Sequence, residues 1–287
     1  MEFINDTAYL DQHFLIDKSI INKFVDEANI SMEDEVVEIG PGKCEISELI
    51  AKRCKHLTCI EIDERLEHFT NVFKEKYDNV DVIYGNALNM FIPVCDKIIS
   101  ALPYSITEPF IEKLLRCNFK ECTLIVGKKF ADSVIKKELN KLSLLTNSYF
   151  DVIKVTDIDP NAFEPRPRVM SSMIKLIPVK RDDIKMNFKR FIFREMFFHR
   201  DKKLKNNLME ALIEFARMHE QTLTKRESKA VIDSYNIPKE TLNKLMENLN
   251  NEEYKLIYNS LKWFYYRKPH FKEMGFILLN HFFNFFI

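Results

Sequence analysis

The stretch Glu35-Val-Val-Glu-Ile-Gly-Pro-Gly42 joins a short apolar run to two of the five glycines in this 287-residue chain. The run 35–39 predicts a buried β-strand, and the apolar spacing of residues 45–55 predicts a helix directly after the glycines. Glycine adopts positive φ without strain and lets a ligand approach the backbone closely. In parallel α/β sheets, ligands bind beyond the carboxyl ends of the strands. The stretch therefore predicts an α/β fold with a binding loop at residues 40–42.

Strand and helix patterns alternate along the first 180 residues. The predicted strands after the first are 57–62, 80–84, 97–100, 122–126, 150–155 and 172–176. The predicted helices are 17–30, 45–55, 63–77 and 108–116. This alternation is typical of a parallel sheet with helices on both faces, so residues 1–180 are predicted to form a Rossmann-like domain.

The rest of the chain differs in both pattern and charge. Strand signals stop after Pro178, and residues 188–259 predict several helices, among them 204–218 and 239–249. We therefore predict a small all-α domain over residues 181–287. Residues 1–100 hold 10 basic and 20 acidic side chains, whereas residues 180–206 hold 10 basic and 4 acidic ones. This asymmetry favours contact with a polyanion, although solvated helix faces give the same pattern.

Cysteine usage and the chain ends limit the class of protein further. The six cysteines form no CxxC pair, which favours reduced thiols in a cytoplasmic protein over a disulfide scaffold or a zinc site. Residues 1–11 carry three acids and no basic residue, unlike a targeting signal. The apolar run 276–287 is too short and polar to span a bilayer and is predicted to pack as a terminal helix, with membrane or partner contact as the alternative. We expect neither a metal nor a membrane span.

Two further positions carry candidate chemistry. Glu61 follows the second predicted strand about twenty residues after the glycine loop, where an acid suits the two hydroxyls of a ribose. A tight turn with an exposed glutamate is the alternative, because Glu45 stands where a dinucleotide-binding motif has its third glycine. Pro103 gives the loop after the fourth strand a fixed φ, and Tyr104 offers a ring on which a planar substrate can stack.

Several segments together resemble the ribosomal RNA adenine dimethyltransferases in order and spacing, from about Tyr9 to about Leu208. The matching segments are Asp11-Gln-His-Phe-Leu15, Glu38-Ile-Gly-Pro-Gly42, Ile60-Glu-Ile-Asp63, Gly85-Asn-Ala-Leu88, Ala101-Leu-Pro-Tyr104, Phe163-Glu-Pro-Arg-Pro-Arg-Val169 with Ser171, and residues 198–208. The resemblance implies a Rossmann-like class I methyltransferase sheet plus a small helical domain. It also implies S-adenosylmethionine as cofactor and small-subunit ribosomal RNA or a pre-ribosomal particle as partner of a monomeric enzyme.

The resemblance further implies a role for each matching residue. The residues implied to hold the cofactor are Gln12, His13 and Leu15 at its methionine part, Gly40 and Gly42 at the backbone, Glu61 at the ribose, Ile62 on the adenine ring, and Asn86, Ala87 and Ala101 beside them. The segment implied to be catalytic is Ala101, Leu102, Pro103 and Tyr104, in which the tyrosine stacks on the target base.

Two positions depart from the family pattern. Ala101 stands where the family has an asparagine that contacts the target base, and Asn86 stands where it has an aspartate. An adenine amine is a poor nucleophile, so loss of an acceptor at position 101 matters for rate. The Leu102 carbonyl remains, and Ser105 or Asn86 is a candidate substitute. Three functions stay open: an active rRNA adenine methyltransferase, a non-catalytic rRNA-binding assembly or transcription factor, and a methyltransferase with a changed acceptor.

Basic residues in two regions are candidates for RNA contact. They are Arg166 and Arg168 in the proline-rich segment, and Arg200, Lys202, Lys203 and Lys205 in the basic segment. Lysine and arginine neutralise phosphates with little sequence choice. The basic segment extends from Lys189 to Lys205, and its interleaved phenylalanines, Phe193, Phe197 and Phe198, are predicted to be core residues. The resemblance implies two adjacent adenines in a hairpin loop near the 3′ end of the small-subunit RNA as the target, and such a base must be flipped out or single-stranded.

Overall fold

The computed structural model describes residues 12–263, which form nine strands and eleven α-helices. The strands are β1 (Phe14–Leu15), β2 (Glu35–Ile39), β3 (His56–Glu61), β4 (Val80–Tyr84), β5 (Lys97–Ala101), β6 (Glu121–Gly127), β7 (Phe150–Ile158), β8 (Phe163–Glu164) and β9 (Ser171–Pro178). The helices are α1 (Lys18–Glu27), α2 (Glu45–Ala51), α3 (Glu67–Lys76), α4 (Thr107–Leu114), α5 (Lys128–Ile135), α6 (Lys141–Tyr149), α7 (Phe188–Phe198), α8 (Leu204–Met218), α9 (Lys225–Ser234), α10 (Lys239–Asn243) and α11 (Asn251–Ser260).

Seven of these strands form one sheet in the order β4-β3-β2-β5-β6-β9-β7. The five strands from β4 to β6 are parallel, which confirms the α/β prediction. β9 runs antiparallel to both β6 and β7. Its direction was not predicted. Residues 159–170, which connect it to β7, contain a 3₁₀ turn and β8 and not the crossover helix that usually joins parallel neighbours.

The strand order creates a cleft between β2 and β5. From β2 the chain proceeds outward through β3 and β4 and then returns to β5 on the other side. Because crossovers are right-handed, the connecting helices lie on opposite faces of the sheet and a crevice opens where the direction reverses. Gly40 directly follows β2 and Ala101 ends β5, so both lie at this crevice.

Local sequence explains the first helix, α1. The Asp17 side chain caps it by accepting hydrogen bonds from the backbone N–H groups of Ser19 and Ile20. Its apolar face buries Phe24 and Val25 completely in the core.

All six cysteines are free thiols, and five of them are buried.

The chain divides into two compact units. The first comprises the described residues up to Glu138 together with Leu142–Val179, and the second comprises Leu139–Lys141 with the described residues from Lys180 onward.

In the second unit, helix α8 was predicted with the bounds observed, whereas the predicted helix 239–249 was wrong beyond Asn243. Its path changes there because Lys244 is extended and Leu245 forms a bridge with Lys203.

Several elements were not predicted, and two segments considered from the sequence lie outside the described residues. Helices α5 and α6 and the two-stranded pair β1–β8 were not predicted. Residues 1–11 and the apolar run 276–287 lie outside the described residues. Among residues 12–263, no helix has the length and apolar character needed to cross a membrane.

Candidate active site

A cavity of about 310 Å³ lies in the first unit, at the crevice between β2 and β5. This volume is at the lower end of the range of about 300–1,000 Å³ typical of small-molecule sites. The sequence-predicted residues that line it are Gln12, His13, Leu15, Gly40, Gly42, Glu61, Ile62, Asn86, Ala87, Ala101, Leu102, Pro103 and Tyr104. The fold therefore brings every predicted cofactor residue and every predicted catalytic residue to one cavity.

The glycine loop forms one wall of this cavity. Gly40 and Gly42 have φ angles of +73° and +57°, a region that side chains other than glycine rarely adopt. A Cβ atom on Gly42 would lie 3.0 Å from the Phe14 ring, so the ring occupies the space that a side chain would need. No role was predicted for Phe14 from the sequence, although it lies within the motif that contributes His13 and Leu15.

Glu61 ends β3 with only 2% of its surface exposed, so the alternative of an exposed glutamate in a turn was wrong. Its carboxylate accepts hydrogen bonds from the backbone N–H groups of Gly42, at 3.0 Å, and Asp63, at 2.9 Å. Burial raises the pKa of Glu61, while these backbone donors act in the opposite direction. A carboxylate has about four acceptor positions, so acceptor capacity remains for a ligand hydroxyl.

Ile62 and Asn86 lie farther along the same wall. The Ile62 side chain is 50% exposed and lines the cavity, which leaves an apolar surface open to a flat ring. The Asn86 side-chain oxygen accepts a hydrogen bond of 2.9 Å from the Leu88 backbone N–H. This bond fixes the orientation of the amide, with its oxygen toward the loop backbone and one lone pair left for a second donor.

The candidate catalytic segment begins where β5 ends. Ala101 pairs with Ile125 of β6, and the Leu102 N–H donates to the Ile125 carbonyl at 3.0 Å. The Tyr104 hydroxyl shares a hydrogen bond of 2.6 Å with the Ser171 hydroxyl, and the Tyr104 ring stacks with His13 at a centroid distance of 5.8 Å. Ser105 does not line the cavity, so it is not a substitute for the missing asparagine.

Ser171 is the site residue that sequence reasoning missed. It closes the motif that begins at Phe163, and this position was the one signal that pointed to it. Pairing over some seventy residues between a loop and a distant strand has no local signature in a sequence.

The candidate RNA-contacting residues differ in their surroundings. Arg166 and Arg168 are exposed in the first unit, and Lys203 and Lys205 are exposed in the second. Lys202 forms an ion pair with Glu210 at 2.5 Å, and Arg200 is half-buried. The prediction that the interleaved aromatics are core residues is confirmed for Phe193 and Phe197 and wrong for Phe198, which is 72% exposed.

Glu38, two residues before Gly40, is a buried acid. Its side chain is 2% exposed, and the Cys59 thiol donates to it at 3.7 Å. Burial is the largest cause that raises its pKa, to about 7 from an ordinary value of 4.5. The folded protein therefore holds a proton on Glu38 at pH values where the unfolded chain has released it.

This difference predicts a pH-dependent stability. A raised pKa in the folded state contributes stability that is complete below pH 4.5 and is lost as pH rises to about 7. The loss attributable to Glu38 should total about 3 kcal/mol. Urea unfolding between pH 5 and pH 8 should show this decline in the parent and a flatter profile in Glu38→Gln. The exposed Glu33→Gln control should keep the parental profile, and an equal decline in Glu38→Gln would contradict the assignment.

Structural comparison first defines the class of fold. A dimethyladenosine transferase from Plasmodium falciparum superposes with a TM-score of 0.59 at 25% identity, covering 85% of this chain and 96% of that chain. The 23S rRNA methyltransferase ErmE has a TM-score of 0.56 at 19% identity, which is a likeness of fold. The first unit therefore has the Rossmann-like methyltransferase architecture that was predicted.

Sequence comparison then gives the family. The ribosomal RNA adenine dimethylase family matches residues 5–251, so the chain belongs to this family of enzymes, and the predicted membership is confirmed. The ribosomal RNA small subunit methyltransferase A of Borreliella burgdorferi is 35% identical over 87% of this chain and 86% of its own length. A probable ribosomal RNA small subunit methyltransferase A of Methanosarcina acetivorans is 31% identical over 88% of this chain and 92% of its own length.

Proposed function

We propose that this protein transfers methyl groups from S-adenosylmethionine to the N6 amine of adenine in small-subunit ribosomal RNA, with dimethyladenosine as the product. The observation that carries the proposal is the shared cavity, which brings the Gly40–Gly42 loop and Glu61 to the same site as the segment 101–104. A methyl donor and an acceptor base must meet at one point for direct transfer.

The residues present fit the proposed cofactor. Gly40 leaves open space beside its backbone, the remaining acceptor capacity of Glu61 suits a ribose hydroxyl, and Ile62 offers its apolar surface to an adenine ring. Gln12 lies at the same cavity and donates to Asp63 at 3.3 Å, which orients its amide for the methionine part. The bound cofactor supplies an electrophilic methyl group on a sulfonium.

The segment 101–104 acts on the base. The Tyr104 ring stacks on the flipped adenine and sets the plane in which its amine lies. The Leu102 carbonyl accepts one amine hydrogen, which favours the pyramidal nitrogen whose lone pair can attack the methyl group. Alignment and placed acceptors supply the rate enhancement, since the amine lone pair is otherwise delocalised into the ring. Ala101 contributes no acceptor, so this protein relies on fewer contacts at the amine.

Basic side chains in both units hold the RNA. The proposed contacts are Arg166, Arg168, Arg200, Lys202, Lys203 and Lys205. The exposed members bind phosphates most strongly, because Lys202 must first leave Glu210. We further propose that the protein acts as a monomer in the cytoplasm, where its six thiols stay reduced.

Replacing Lys203 and Lys205 together by alanine should weaken RNA binding and reduce its salt dependence. Each lost phosphate contact reduces the magnitude of the slope of log affinity against log salt by about 0.7–0.9. The slope of the double variant should therefore be smaller in magnitude by about 1.4–1.8. Filter binding of the target hairpin at several salt concentrations measures this slope. The exposed pair Lys18 and Lys23, replaced in the same way, should leave it unchanged. Equal slopes in the two double variants would exclude Lys203 and Lys205 from the interface.

Methyl transfer to hypomethylated small ribosomal subunits tests the proposed function. The protein is incubated with S-adenosylmethionine labelled in its methyl group, and the RNA is digested to nucleosides. Label should appear in dimethyladenosine and should accumulate more slowly in Tyr104→Ala. Calorimetric binding of S-adenosylmethionine without any label in RNA would support the non-catalytic RNA-binding alternative. Label in another nucleoside would support a changed acceptor.

A further inference from the structure

Ser171 connects the last strand of the sheet to the catalytic segment. It is the first residue of β9 and pairs with Gly127 of β6 and Ile158 of β7. Its side chain is fully buried, and its hydroxyl oxygen lies 2.6 Å from the Tyr104 hydroxyl oxygen. Because two strands hold its backbone, Ser171 is a rigid partner for the tyrosine.

Tyr104 itself has a weaker backbone support. It begins a short 3₁₀ turn after Pro103 and lies outside the β-sheet. Its ring would lie 3.7 Å from a Cβ atom on Gly127, which is an ordinary van der Waals distance, so the ring packs beside this residue at the end of β6. The hydroxyl bond to Ser171 holds the far end of the side chain, where a small rotation about χ1 would displace the ring most.

We propose that Ser171 is a positioning residue for methyl transfer, which fixes the Tyr104 ring in its stacking orientation before the base arrives. The inference rests on the proposed function, because it assigns a purpose to the orientation of Tyr104. A ring that is already ordered loses less conformational entropy on binding. A displaced ring would also misplace the amine relative to the methyl group, and a shift of about 1 Å can cost about 100-fold in rate.

The first test compares single-turnover methyl transfer in four proteins. Ser171→Ala and Tyr104→Phe each remove the shared hydrogen bond and should slow transfer roughly 2- to 10-fold, with unchanged affinity for S-adenosylmethionine. The double variant should be no slower than the slower single variant, since both changes remove the same contact. Additive losses would overturn the proposal.

Ser172→Ala is the matched control. Ser172 is the next residue, is equally buried, and donates to Asp157 at 2.6 Å instead of contacting Tyr104. Its removal should leave the transfer rate near the parental value. Equal rate losses in Ser171→Ala and Ser172→Ala, at matched thermal stability, would show that the effect comes from the strand and not from the tyrosine.

An NMR measurement that does not depend on turnover reports the order of the Tyr104 ring directly. In protein labelled in its tyrosine rings, the Tyr104 NMR signals are assigned by their disappearance in Tyr104→Phe. Ser171→Ala should shift and broaden these signals, whereas Ser172→Ala should not. If the parent protein fails to methylate RNA but Tyr104 loosens in Ser171→Ala, the positioning contact stands and the proposed function fails. If the parent is active and neither the signals nor the rate change, Ser171 does not position Tyr104.

Discussion

Ala101→Asn should raise the rate of methyl transfer, by a factor approaching 10²–10³. Ala101 ends β5 and lines the cavity beside Leu102, so a longer polar side chain extends toward the base. An amide oxygen there would accept a second amine hydrogen and stabilise the transition state. Removal of one placed donor from an oxyanion hole costs about 2.7–4 kcal/mol, and the gain of a comparable acceptor is expected to have a similar size. Single-turnover kinetics at saturating RNA measures the change.

Ala101→Leu separates this effect from the added volume. Leucine is close to asparagine in size but has no acceptor, so it should leave the rate at or below the parental value. Cofactor affinity should be checked in both variants, because Ala101 also lines the cofactor side of the cavity. A parental rate in Ala101→Asn would mean that the Leu102 carbonyl and the stacked ring already place the amine fully.

Tyr104→Ala should lower kcat/KM for RNA roughly 5- to 150-fold. Stacking of a base on an aromatic side chain contributes about 1–3 kcal/mol by alanine substitution, which corresponds to that range. The ring is placed for this role, because it lines the cavity and is held by Ser171 and His13. The measurement is methyl transfer to hypomethylated subunits as RNA concentration is varied.

Tyr104→Phe distinguishes stacking from the hydroxyl contact. Phenylalanine keeps the ring and loses only the bond to Ser171, so its rate should lie between those of the parent and Tyr104→Ala. S-adenosylmethionine affinity should remain near the parental value in both variants, since Glu61 and the glycine loop are unchanged. Equal activity in the parent and Tyr104→Ala would remove Tyr104 from the reaction.

The parallel part of the fold was predictable because its signals are local. Each of the five parallel strands, β2 to β6, is a short run rich in apolar residues, and hydrophobic periodicity identifies such runs and the amphipathic helices between them. The antiparallel direction of β9 depends on which strands it joins, and no residue within 171–178 encodes that choice. The pair β1–β8 has two residues in each strand, too short for any periodicity. The helix predicted over 239–249 failed because Leu245 contacts Lys203, a tertiary contact that overrides helix propensity.

Part of the candidate site could be predicted from the sequence, because residue type and spacing alone identify it. Glycines after a strand and an acid after the next strand predicted the cavity wall, and the fold places Gly40, Gly42 and Glu61 together there. The burial of Glu61 and the bond between Asn86 and Leu88 required the structure, because they depend on what surrounds each side chain. The contact between Tyr104 and Ser171 is the clearest example, since 67 residues separate its partners.

The position of β9 has a consequence for the synthesis of the chain. β9 is the last strand of the sheet to be translated, yet it lies between β6 and β7. Until residue 178 has left the ribosome, one edge of β6 and one edge of β7 have no neighbour, and open strand edges invite pairing with other chains. At about 5–20 residues per second, the edge of β6 stays open in the nascent chain for roughly 3–10 seconds. Expression at low temperature or with a chaperone that shields strand edges should therefore increase the soluble yield.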